Sequence, residues 1–125
     1  MRRADSAPVM LQGLPPLLDT RTRLVVLGSF PGVASLRSQQ YYGHPQNQFW
    51  KMMVALFAPD RPDVLALPYA ARTEWLLDQG VGLWDVYAAC EREGSLDSRI
   101  QNSQPNDLLS LRERCPVLVA IAHNG

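Results

Sequence analysis

Residues 24–27 form an unbroken apolar run, Leu-Val-Val-Leu, closed by Gly28-Ser29-Phe30-Pro31-Gly32. A run rich in β-branched residues and without polar alternation predicts a strand buried on both faces, the condition of a central strand in a parallel sheet. The turn behind it then falls at the C-terminal end of that strand, where open α/β sheets bind ligands in a crevice bordered by loops. Gly28 and Gly32 let backbone amides approach a ligand closely, while Pro31 has no amide and fixes its own φ. Such a turn either presents N–H groups to an anion or a base carbonyl, or is a plain connection.

A second polar loop follows, Tyr41-Tyr42-Gly43-His44-Pro45, and Asn47 stands just before Phe49, Trp50, Met53, Leu56 and Phe57, which recur at helical spacing. Asn47 is placed like an N-cap. Tyr42 suits a half-buried core position whose hydroxyl finds a partner, and His44 suits a loop histidine bonded to backbone. Pro59 to Pro68 reads as a connection, and a second helix is expected from Tyr69 to Gln79, with Trp75, Leu76 and the Ala residues inward and Gly80 as its stop. Val81 to Val86 reads as a strand ending in the carboxylate Asp85, which faces the crevice or caps the next turn. Residues 87–104 are expected to be irregular, and a short helix should run from Asn106 or Asp107 to Arg114, ended by Cys115-Pro116. Val117 to Ala122 is a second apolar run suited to a sheet centre.

At 125 residues and 46% hydrophobic content, the expectation is one domain, residues 1–125, of βα units in a three-layer α/β/α sandwich around a central, mostly parallel sheet. No signal peptide or membrane-length apolar run is visible, so a cytoplasmic protein is expected. Cys90 and Cys115 read as free thiols. With two histidines and no cysteine cluster, no metal is expected, and without a Walker or dinucleotide fingerprint no cofactor is expected. Net charge is zero, yet residues 1–50 hold five Arg against two Asp, and residues 51–125 hold one Lys and six Arg against ten acids. Composition therefore does not predict DNA binding; Arg21, Arg23 and Arg37 supply either a local phosphate-facing patch or a solvated surface.

The two linked strings, Gly28-Ser29-Phe30-Pro31-Gly32 and Tyr41-Tyr42-Gly43-His44-Pro45-Gln46-Asn47-Gln48-Phe49-Trp50, resemble the first motif region of the uracil-DNA glycosylase superfamily, in particular its hypoxanthine-DNA (deoxyinosine) glycosylases. The mismatch-specific uracil/thymine glycosylases share the G-x-x-P-G turn but carry a catalytic Asn at its third position, where this chain has Phe30. The resemblance thus implies Asn47 as the residue that positions the attacking water. It also implies a substrate pocket formed by Gly28, Ser29, Phe30, Pro31, Gly32, Tyr42, His44, Asp85 and Asn124, acting on DNA that contains a deaminated base. The segment Glu91 to Ile100 resembles a polar loop of the same family that leads back over the sheet.

The implied chemistry is hydrolysis of the N-glycosidic bond of hypoxanthine, or of uracil, after the nucleotide is flipped from the duplex and stacked on Tyr42. The family continues from an Asn-Gly like Asn124-Gly125 through a further helix and strand, so the resemblance implies a C-terminally truncated copy. A catalytically incomplete glycosylase-fold fragment and a non-catalytic nucleotide-binding α/β domain are the alternatives.

Overall fold

The computed structural model describes residues 9–124. Its centre is a parallel three-stranded sheet in which β2 (Leu24–Gly28) lies between β3 (Val81–Asp85) and β6 (Ala120–His123). The central position expected of the first apolar run is thus occupied by β2. Register pairs Gly28 with Asp85 and Leu27 with both Trp84 and His123, so the strand ends open on one side of the sheet.

Alternation along the strands feeds two cores. Val26, Val81 and Leu83 pack with Phe49, Trp50 and Met53 of α2 (Phe49–Phe57) and Leu76 of α3 (Tyr69–Asp78). Val25, Leu27 and Trp84 face the other way, onto Leu111 of α4 (Leu111–Arg114) and Cys115. Helices cover both faces, which makes the three layers of an α/β/α sandwich. The α3 helix stops at Gly80, whose φ of 80° is open to glycine without a side-chain clash.

Four local expectations are corrected and one short helix is added. Residues 87–104 are not irregular: β4 (Tyr87–Glu91) pairs antiparallel with β1 (Met10–Gln12) and with β5 (Gln101–Pro105), giving a second small sheet. Polar residues such as Gln101, Asn102 and Gln104 hid β5, whose five residues are all exposed. Residues 33–38, between the turn and the aromatic loop, form the short helix α1 (Val33–Ser38), because no residue there breaks a helix before the left-handed Gln39. On α2, Leu56 is 70% exposed while Val54 is buried, since the core touches only a narrow stripe. On α3 the inner face is Thr73, Leu76 and Leu77, and Ala70 is exposed. The second apolar run forms its strand only over Ala120–His123, every residue of it exposed, and among the described residues it is an edge of the sheet.

Candidate functional site

The chain passes from β3 to β4 through Val86 without a loop, and the two sheets meet there. Val86 N–H donates to the Gly28 carbonyl at 2.8 Å and Tyr87 N–H to the Ser29 carbonyl at 3.1 Å, which zips the turn after β2 onto this junction. Asn106 clamps it from behind, its Nδ2 donating to the Asp85 carbonyl at 2.8 Å. Asp85 is therefore fixed at the C-terminal end of the sheet by backbone contacts on both sides.

A pocket of about 500 Å³ opens at this end, within the ~300–1,000 Å³ usual for small-molecule sites. All ten site residues expected from the sequence line it: the turn Gly28 to Gly32, then Tyr42, His44, Asn47, Asp85 and Asn124. Gly28 gives the Asp85 carboxylate its room, because a Cβ there would stand 2.5 Å from Asp85 Oδ1 and force it to shift. The amides of Ser29, Phe30 and Gly32 donate to no acceptor among the described residues, so they are free to meet a ligand. Phe30 itself is buried beneath the Arg92 guanidinium, 5.2 Å from the ring centroid, and its apolar side chain offers nothing to hold a water.

The aromatic loop is pinned at several points. Tyr41 is buried, its N–H donates to the Tyr69 hydroxyl and its own hydroxyl to the Pro15 carbonyl, while Trp50 Nε1 donates to the Tyr41 carbonyl. Gly43 N–H donates to Ser35 Oγ, tying the loop to α1. Between these anchors Tyr42 takes a left-handed φ of 54°, a conformation that costs a residue with a Cβ on the order of 1 kcal/mol. One face of its ring stacks on Phe49, with centroids 4.1 Å apart and planes 23° apart, and Phe49 does not line the pocket. Tyr42 itself lines the pocket. Burial pushes the Tyr42 hydroxyl up to about 12, offset in part by the Asn124 amide nearby, and no atom among the described residues completes a hydrogen bond with it in good geometry.

Asn47 stands exposed on the rim. Its Oδ1 accepts the Phe49 N–H at 2.8 Å, so it does cap the first turn of α2, although the residue that enters the helix is Gln48. That bond uses one lone pair and leaves the amide nitrogen and a second lone pair without a partner among the described residues. His44 Nδ1 accepts the Gln46 N–H, and the His44 carbonyl accepts the Asn47 N–H, so the histidine is held by backbone and shapes the turn that delivers Asn47.

Asp85 is the least expected feature chemically. It is 5% exposed and its Oδ2 has no hydrogen-bond partner among the described residues. Burial, with the Asp97 charge adding, pushes its carboxyl up to about 7.

Sequence reasoning missed the far wall. Ser95, Leu96 and Asp97 line the pocket, with Ser29 Oγ donating to Asp97 at 2.9 Å and Ser95 Oγ accepting the Val33 N–H at 2.8 Å. Arg92 underlies this wall, donating to the Pro31 and Gly94 carbonyls at 2.7 Å. The run Glu91 to Ile100 stood out by its charge density, and its pairing with the Gly28–Gly32 turn was the unread part. Of the three arginines weighed as a phosphate patch, Arg21 is committed to Asp19 and Asp78, both at 2.6 Å. Cys90 and Cys115 are free and buried. No helix among the described residues is long and apolar enough to cross a membrane.

Residues 15–121 match the uracil DNA glycosylase superfamily. Two hypoxanthine DNA glycosylases, from Methanosarcina barkeri and Methanosarcina acetivorans, are 39% and 40% identical to this chain over 114 residues, or 91% of it and 70% of each relative. The solution NMR structure of a Methanosarcina acetivorans protein, described as a candidate uracil DNA glycosylase, superposes with a TM-score of 0.82 at 38% identity, covering 94% of this chain and 71% of that one.

Proposed function

This chain belongs to the uracil DNA glycosylase superfamily, and we propose on that premise that it excises deaminated bases, hypoxanthine foremost, from DNA by hydrolysing the N-glycosidic bond. The observation that carries the reading is one pocket lined by free turn amides, an aromatic residue and an asparagine amide at the strand ends. Each answers a need of the reaction. A base cannot be reached inside the duplex, so the nucleotide is extruded, and Tyr42, backed by Phe49, gives it a stacking surface. As the bond breaks, positive charge grows on the sugar and negative charge on the base, and the amides of the Gly28–Gly32 turn are placed to meet the latter.

Asn47 has no basic group and acts by position. With one Oδ1 lone pair given to Phe49 N–H, the remaining polar atoms hold a water against the sugar carbon, and the helix turn fixes their direction. The test uses oligonucleotides carrying deoxyinosine or deoxyuridine, incubated with the protein and then cleaved by alkali at abasic sites. Asn47→Ala is expected to lower excision by about 100-fold or more, while the lost cap costs only ~1 kcal/mol of stability. Excision by Asn47→Ala at the wild-type rate would remove Asn47 from the chemistry, and no cleavage by the wild type would remove the function.

A further inference from the structure

The carboxyl of Asp85 meets the pocket with nothing to neutralise it. Its side chain is 5% exposed, Oδ2 is without a partner, and no cationic side chain among the described residues pairs with it. Oδ1 lies against the Gly28 backbone, 2.5 Å from where a Cβ on that residue would stand. The polar groups around it come from four places. The 95–97 wall brings Asp97, the aromatic loop brings Tyr41, Tyr42 and His44, and the ends of β2 and β6 bring only the Gly28 backbone, the Ser29 hydroxyl and Asn124. Of these, His44 sits on the exposed rim with Nδ1 accepting the Gln46 N–H, and the Ser29 hydroxyl donates its hydrogen bond to Asp97.

Resting on the glycosylase reading above, we propose that Asp85 works as a neutral carboxylic acid, its O–H donating a hydrogen bond to a carbonyl oxygen or ring nitrogen of the departing base, and that its ionisation switches excision off. The driving physics is the sign of the charge that develops. The bond between the sugar carbon and the base nitrogen breaks with its electron pair passing to the base, so an ionised carboxylate beside that base opposes the reaction, whereas a buried O–H stabilises it. A water oxygen bonds the sugar carbon and releases its proton to solvent, and the base takes up a proton from solvent as it leaves. Asp85 ends as it began. Burial without a counter-ion holds it in the required form, and Asp97 on the far wall reinforces this, consistent with a carboxyl pushed up to about 7.

The experiment is a single-turnover excision of deoxyinosine from an oligonucleotide between pH 5.5 and 9, with wild type, Asp85→Asn and Asp85→Ala, beside a carbon-13 NMR titration of the aspartate carboxyls in the free protein. The wild-type rate is expected to fall about tenfold per pH unit above the Asp85 titration. Asp85→Asn, which keeps an N–H donor and cannot ionise, should show a flat profile and exceed wild type at pH 9. Asp85→Ala should be about 100-fold slower than wild type at pH 6. A carboxyl signal absent from Asp85→Asn should titrate near 7 in the wild type. A falling limb that persists in Asp85→Asn assigns the dependence to another group and overturns the proposal while leaving the glycosylase reading intact, as does an Asp85 signal that titrates near 4. Absence of excision at every pH in every variant overturns the glycosylase reading, and the proposal falls with it.

Discussion

The strands β3 and β6 flank the same central strand, run parallel to it and end at the same pocket, yet all five residues of β3 are buried and all four of β6 are exposed. Their apolar character does not separate them. What separates them is cover: β3 has α2 and α3 on one face, α4 under Trp84 on the other, and Leu17 bonded along its outer edge. Among the described residues β6 pairs with β2 alone, beside an apolar groove formed with Leu108, Leu111 and Leu118. A run of apolar residues fixes where a strand would be stable, and the elements packed on it decide whether it is buried.

The largest expected effect breaks this contrast directly. Leu83→Ala in β3 should cost about 2–5 kcal/mol in denaturant unfolding, because a fully buried site cannot collapse around the cavity. Ile121→Ala in β6, where the side chain is 52% exposed, should cost less than about 1 kcal/mol. Equal losses would mean that the two strands share one environment.

A smaller effect distinguishes the strand ends by pH. Asp85 has its carboxyl raised to about 7, so the folded state holds a proton that the unfolded chain releases near 4. Its contribution is therefore fully favourable below pH 4 and is lost as pH rises to about 7. Relative to Asp85→Asn, the wild type should lose stability across that interval by up to a few kcal/mol, read from urea midpoints of both proteins at pH 4.5 and pH 8. The same comparison for Asn124→Ala, whose residue is exposed at the end of β6, should show no pH-dependent difference. A constant gap between wild type and Asp85→Asn would show that Asp85 has the ordinary carboxyl affinity.

The smallest effect on stability carries the clearest change in association. Val119→Lys with Ile121→Lys should change unfolding by less than ~0.5 kcal/mol, because both side chains already face solvent. Sedimentation over a range of concentrations should show the wild type gaining mass and the double variant remaining monomeric, since lysines on an edge oppose strand pairing. Identical behaviour of the two would show that the groove and its strand are not sticky.

These contrasts also mark what the sequence made legible. The central strand, the capping geometry of Asn47 and the stop at Gly80 were readable because each follows from a local rule: burial pattern, side-chain bonding to the next turn, and a glycine at positive φ. The ten pocket residues were found through two strings close in sequence and two strand ends. The strand β5 was not readable, since Gln101 to Pro105 is polar and its existence depends on pairing with β4. Nor was the role of residues 92–97, whose hydrogen bonds to Ser29, Pro31 and Val33 span more than sixty positions, as Arg92 to Pro31 shows with a separation of 61. Asp85 was placed at the crevice, but its missing counter-ion is a property of three dimensions only.

The loopless passage from β3 through Val86 to β4 has a consequence for how this pocket can change. Residues on the rim ride on loops, which absorb insertions and shifts, whereas Asp85 lies in a stretch of backbone shared by two sheets and zipped to Gly28 and Ser29. Side chains alternate along a strand, so one residue added between Leu83 and Asp85 would turn the carboxyl away from the pocket and aim its neighbour inward. The floor of the site can be altered by substitution but not by length, and its variation over generations is confined to what fits at position 85 itself.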